Sequence, residues 1–285
     1  VTAAAAGRVR VDRRTVRRPA FGTVGLVLGC LIVVAFLAAG WWLPLPHDPN
    51  GISGDVLRQP GHGHLFGTDE VGADVFSRTV RAARTDLPLA LAGTALALVV
   101  GVTGGLLASA KNRWGERLMR VLDAFQSLPL LVLTVALVVI SGNSLIMVVI
   151  TVALISGPFF IRLVRSQALT LRESRFVEAS IAAGSSPARV MVRHLLPNLR
   201  SLILAQTALT AANALLLIAA LSFIGVGVQP PTPSWGAMIR SGAGLVTTGQ
   251  WWLAFFPAVA IFLCVLSFNL IADGLRDRSA ARRER

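Results

Sequence analysis

Catalysis and metal binding need particular residue types at defined spacing, and this sequence offers few of them. His62 and His64 stand in a Gly-His-Gly-His run. Two histidines at i, i+2 with no further ligand in step read as loop residues rather than as a metal site. Cys30 and Cys264 lie inside apolar runs without a metal-type spacing partner, and neither suggests a structural disulfide. The sequence contains no His-Glu-x-x-His, no Gly-x-Ser-x-Gly and no Gly-x-x-x-x-Gly-Lys-Ser/Thr phosphate loop. Without that loop, any work done with ATP must draw on hydrolysis by another subunit. What remains are neutral hydrogen-bonding groups inside an apolar run, Thr207, Thr210 and Asn213. Such groups face other helices or a wet cavity rather than lipid, which makes these three candidates for a translocation path. Asp123, Arg162 and Arg165 sit at the ends of apolar runs and read as charges snorkelling to an interface.

The elements that carry these residues are membrane spans. Of 285 residues, 54% are hydrophobic and 14% charged, with a mean hydropathy of +0.68; soluble domains carry roughly a quarter charged residues. Phe21 to Leu43 is free of charge, and about 20 apolar residues suffice to cross the hydrocarbon core. A signal peptide would have a shorter apolar region and a small-residue cleavage site, whereas Trp41-Trp42 and Pro44 follow here as an interfacial anchor and a helix stop. Residues 44–86 form a polar segment, and 87–110 the second span. Residues 124 to 161 carry no charge over 38 positions, too long for one helix at about 1.5 Å per residue. Ser141-Gly142-Asn143-Ser144 divides this run into a third span over 118–140 and a fourth over 145–165, with Pro129 and Pro158 as kinks. Residues 201–225 and 251–272 supply the fifth and sixth.

The net charge of +13 raises nucleic-acid binding as a function, but the charges sort by membrane side instead. With the N-terminus inside, 22 of the 27 lysines and arginines fall on the inner side. The positive-inside rule then places both termini and the 162–200 loop in the cytoplasm.

Within that loop, Gly184 fits a helix end with a left-handed backbone, and Ser186-Pro187 fits a cap followed by proline in the first turn of a new helix. Local rules thus predict two short helices joined by a sharp turn. Val177 and Ile181 share one face, Arg175 and Glu178 are polar, and Ala179, Ala182 and Ala183 are small enough for another surface to approach closely.

Phe176-Val177-Glu178-Ala179-Ser180, Gly184, Pro187 and His194-Leu195-Leu196-Pro197 resemble the "EAA" signature of ABC-importer permeases. Ser180 stands where that pattern has Ala, and His194 where many members have Ile. Gly67-Thr68-Asp69-Glu70-Val71-Gly72-Ala73-Asp74 through Ser77-Arg78 resembles "GTDxxGRDxxSR", with Ala73 in place of Arg. Leu221 to Gly236 resembles "LSFLGLGxQPPTPSWG", without the acidic residue that many members carry just before it. Asp273-Gly274-Leu275-Arg276-Asp277 resembles a C-terminal "DGLRD". The chain is identified on these blocks as similar to the binding-protein-dependent dipeptide/oligopeptide branch of the permeases.

The resemblance implies an all-α membrane protein of six transmembrane helices with the type I importer permease fold and both termini cytoplasmic. The implied organisation is a basic tail (1–20), a first span (21–43), an extracytoplasmic segment (44–86), a permease core with five spans (87–275) and a C-terminal tail (276–285). Loop 166–198 would hold the coupling helices that dock on a cytoplasmic ATPase. The implied function is uptake of di- or oligopeptides delivered by an extracytoplasmic binding protein, in a bacterial plasma membrane. Partners would be a second permease subunit, two ATPase subunits and the lipid bilayer, with no nucleic acid. No cofactor is expected on this chain, since ATP and magnesium would sit on the ATPases. The alternatives are the same kind of permease for nickel chelates or glutathione, or a stand-alone channel or membrane-embedded enzyme.

Overall fold

The computed structural model describes residues 19–110 and 113–283. The basic tail expected over 1–20 lies almost wholly outside the described residues, as do Lys111, Asn112 and the last two positions. Among the described residues ten α-helices follow one another: α1 (Pro19–Trp42), α2 (Val75–Ala108), α3 (Arg113–Gln126), α4 (Leu130–Ile140), α5 (Leu145–Arg172), α6 (Arg175–Ala182), α7 (Pro187–Val190), α8 (Leu196–Ile224), α9 (Trp235–Ala243) and α10 (Trp252–Arg283). A π-helical turn, Met191–Leu195, joins α7 to α8. Five helical stretches among the described residues are long and apolar enough to cross a membrane, or six if the bent α3–α4 pair counts as one span.

Packing follows the small residues. Helix α2 runs along α5, and α1 along α10. A Cβ at Gly101 of α2 would collide with the side chain of Phe160 in α5, and one at Gly29 of α1 would come within 2.5 Å of the Ser267 carbonyl in α10. Where lipid tails are as apolar as the side chains, such close backbone approach supplies van der Waals contact that larger residues would forbid. The main core gathers Leu87, Leu215, Ile218, Leu221, Trp235 and Cys264 from α2, α8, α9 and α10.

Several boundaries differ from the sequence reading. Helix α2 begins at Val75, so residues 75–86 of the expected extracytoplasmic segment are helical. Asp74 caps it, accepting from the Ser77 N–H at 2.8 Å. The expected third span over 118–140 is not one helix: α3 and α4 meet at an angle of 83° across Ser127–Pro129. Helix α3 is amphipathic, with Arg113, Glu116, Arg117 and Arg120 on one stripe and Leu118, Val121, Leu122 and Phe125 on another, the pattern of a helix lying in an interface. Helix α10 continues through the expected C-terminal tail to Arg283. Asp123 and Arg162 do not snorkel separately: they pair at 2.6 Å, tying α3 to α5. Arg165 donates to the Ala108 carbonyl at the end of α2.

Candidate coupling site

Helices α6 and α7 stand between the ends of the two long helices α5 and α8. Their seating is apolar: Val177, Val190, Leu195 and Leu199 bury against Val164 and Ala168 of α5. Ile181, one turn beyond Val177, is exposed instead, because α6 ends a residue later and the chain turns away. The expected shared face is therefore split into one anchor and one surface residue.

The turn obeys the local rules. Gly184 has φ +81°, and its N–H donates to the Ile181 carbonyl at 2.9 Å, while the Ser185 N–H donates to the Ser180 carbonyl at 3.1 Å. These bonds satisfy carbonyls that a helix end leaves open. Ser186 then caps α7, with Pro187 in its first turn. A Cβ at Gly184 would meet nothing within 4 Å, so the requirement for glycine is conformational and not steric.

Ser180 and His194, the two departures from the signature, contact one another. The Ser180 hydroxyl lies 3.1 Å from His194 Nε2 and donates to the Ser185 hydroxyl at 2.9 Å. The His194 ring also sits 6.2 Å from that of Phe176. One polar link thus joins α6, the turn and the π-helical segment. Pro197, near the start of α8, has no N–H to give to the ladder, and Asn198 Nδ2 donates to the His194 carbonyl at 2.7 Å. The outward surface is formed by Phe176, Glu178, Ala179, Gly184 and Pro187, all exposed. Its aromatic ring, 46% exposed, is of the kind enriched at protein interfaces, and the small residues beside it let another surface approach closely.

The three translocation candidates stand at i, i+3 and i+6 of α8 and differ in exposure. Thr210 is buried within the chain, Thr207 donates its hydroxyl to the Ile203 carbonyl of its own helix, and Asn213 is exposed.

Sequence reasoning missed one buried acid. In the sequence Asp86 closes the polar segment 44–86, and the polar groups inside the apolar runs are neutral. It is instead fully buried in α2. One of its oxygens accepts from the Trp235 N–H at 2.8 Å and the Ser234 hydroxyl at 3.3 Å. The Trp235 indole N–H donates back to the Thr79 carbonyl at 2.8 Å. The acid that meets the 221–236 block therefore comes from α2. The available signal was Asp74 as a helix cap, which would have carried the helix through residue 86.

A bundle of membrane-length helices with two short helices exposed at one end is a polytopic membrane protein. Residues 83–285 match the family described as the binding-protein-dependent transport system inner membrane component. The chain is 40% identical over 261 residues to the di/tripeptide transport system permease protein DppC of Pseudomonas aeruginosa, covering 89% of this chain and 85% of that one. It is 36% identical to the dipeptide transport system permease protein DppC of Alkalihalophilus pseudofirmus, with 88% and 84% covered. It is 35% identical to the glutathione transport system permease protein GsiD of Pectobacterium atrosepticum, with 93% and 88% covered. The chain belongs to the family of binding-protein-dependent inner membrane transport components.

Proposed function

We propose that this chain is one of two transmembrane subunits of an ATP-driven importer for di- or oligopeptides. Its partners are a second permease, two cytoplasmic ATPases that hold ATP and magnesium, and an extracytoplasmic binding protein that delivers substrate. The observation that carries this reading is the α6–α7 pair, buried on one side against α5 and α8 and exposed on the other. A rigid pair seated on two spans can transmit a movement imposed from outside the membrane into those spans. The substrate class rests on the names of the relatives given above. Proteoliposomes holding the four-part complex are expected to accumulate labelled dipeptide only with ATP inside and binding protein outside. Accumulation of glutathione in place of dipeptide would move the chain to the glutathione reading.

The charge distribution supports six spans with both termini cytoplasmic, the α3–α4 pair counting as one. Reporter fusions at residues 60, 115, 143, 180, 238 and 285 are expected to alternate outside, inside, outside, inside, outside, inside. A cytoplasmic signal at 60 or 238 would overturn this topology.

Asn213 is the leading contact for substrate. An exposed amide on an apolar helix is costly against lipid and finds its place beside a partner chain or a wet path. Single cysteines at Asn213 and Thr210 should separate: the first reacting with a water-soluble thiol reagent in one nucleotide state, the second staying inert. Equal reactivity at both would remove Asn213 from the path.

A further inference from the structure

The histidine pair that the fold makes is not the one that the sequence displays. His64 meets His47 rather than His62, their rings stacking with centroids 4.5 Å apart. Both Nδ1 atoms face the same oxygen of Asp74, His64 at 2.8 Å and His47 at 3.8 Å. A hydrogen bond explains His64 but not His47. The His47 Nδ1 is buried, lies beyond hydrogen-bonding range of the carboxylate and has no partner among the described residues. An unsatisfied polar atom of this kind is costly unless something occupies the space it faces.

We propose that His47, His64 and Asp74 bind a divalent first-row transition-metal ion, of which Zn2+ is the representative. One donor atom from each residue lies within 4.8 Å of the other two. Bonds of about 2.0–2.2 Å at tetrahedral angles put neighbouring ligands roughly 3.4 Å apart, between the closest and widest separations found here. Two imidazoles and one carboxylate suit zinc, copper or nickel, while calcium and magnesium prefer oxygen throughout.

The donors are held from behind, as metal ligands generally are. The other oxygen of Asp74 is fixed by the Ser77 N–H. The His64 carbonyl accepts from the N–H groups of both Gly61 and Gly67, which sets that loop. A cavity of about 160 Å³ adjoins the three side chains, bordered by Asp48, Ser53 and Gly72. It leaves room for a water as fourth ligand. His64 would bind through Nδ1 with its proton moved to Nε2. The ion would clamp three separate pieces of chain: the residue after Pro46, the 61–67 turn and the N-cap of α2.

The test uses the full chain in detergent, purified without a polyhistidine tag, and titrated with Zn2+ against a chromophoric chelator. One saturable equivalent is expected. His47→Gln and His64→Gln should each weaken binding by at least the roughly 10–100-fold that losing even an outer partner of a ligand costs. His62→Gln should leave binding unchanged. Co2+ added to the unaltered protein should give the intense visible bands of a four-coordinate nitrogen and oxygen site, a readout independent of how the variants fold. No saturable Zn2+ binding, binding that survives both the His47 and His64 changes, or a Co2+ spectrum like that of the aqueous ion would each overturn the proposal.

Discussion

Gly184→Val is expected to lower substrate-stimulated ATP hydrolysis in the assembled transporter about tenfold or more while leaving membrane insertion and binding-protein docking intact. At φ +81° a side chain branched at Cβ is a conformational outlier. An ordinary L-residue there costs about 1–2 kcal/mol, and about 1.4 kcal/mol is a factor of ten in an equilibrium. Nothing lies within 4 Å of the missing Cβ, so that atom meets no obstacle and this cost is backbone strain. The chain relieves that strain most cheaply by leaving the left-handed region. Doing so breaks the bonds from the Gly184 and Ser185 N–H groups to Ile181 and Ser180 and re-aims α7 relative to α6. The buried anchors Val177 and Val190 hold the pair to α5, so the damage falls on the exposed surface and not on the spans.

A control separates strain from bulk. Gly184→Asn adds comparable volume, but asparagine visits the left-handed region more readily than other non-glycine residues. It is expected to keep most of the stimulated activity, whereas valine loses about tenfold or more. Equal activity in both variants would show that the turn geometry does not matter, and would withdraw the coupling role from α6 and α7.

That turn was legible in the sequence because everything that makes it is local. Gly184, Ser186 and Pro187 act on their own backbone or within three residues, and so do the rules that find them. The span-length apolar runs were legible for the same reason, since crossing hydrocarbon depends on length and composition alone. The bend at Pro129 was only half legible. Proline announces a break in the helix ladder, but whether the result is a shallow kink or a turn of 83° depends on what packs around it. Asp86 was illegible because its partners lie 148 and 149 residues away, and an acid at the edge of an apolar run looks the same whether it faces water or a tryptophan amide. His47 was missed in the same way. Its partners stand 17 and 27 positions on, in an irregular segment that has no periodicity to align them.

Asp86→Ala is expected to destabilise the chain in detergent by about 1–3 kcal/mol, the cost of leaving a buried donor unsatisfied. Trp235 is the first residue of α9, and its N–H belongs to a helix terminus with no carbonyl of its own helix to bond. Asp86 supplies that acceptor from α2. The same tryptophan is completely buried, sends its indole N–H to Thr79 and packs edge-on against Phe36 of α1 at 5.9 Å. Three helices thus meet at one residue whose position the carboxylate sets. Asp86→Asn retains an acceptor oxygen of the same reach and should lose little. Asp86→Leu fills the volume without an acceptor, so it isolates the hydrogen bond from the packing. The expected order of thermal midpoints is wild type, then asparagine close behind, then leucine and alanine together. Transport should fall in the same order, since a tilted α9 would disturb α8 and α10, against which it packs. Were leucine as stable as wild type, the join between α2 and α9 would rest on packing alone, and the buried carboxylate would have to be kept for some purpose other than holding Trp235 in place.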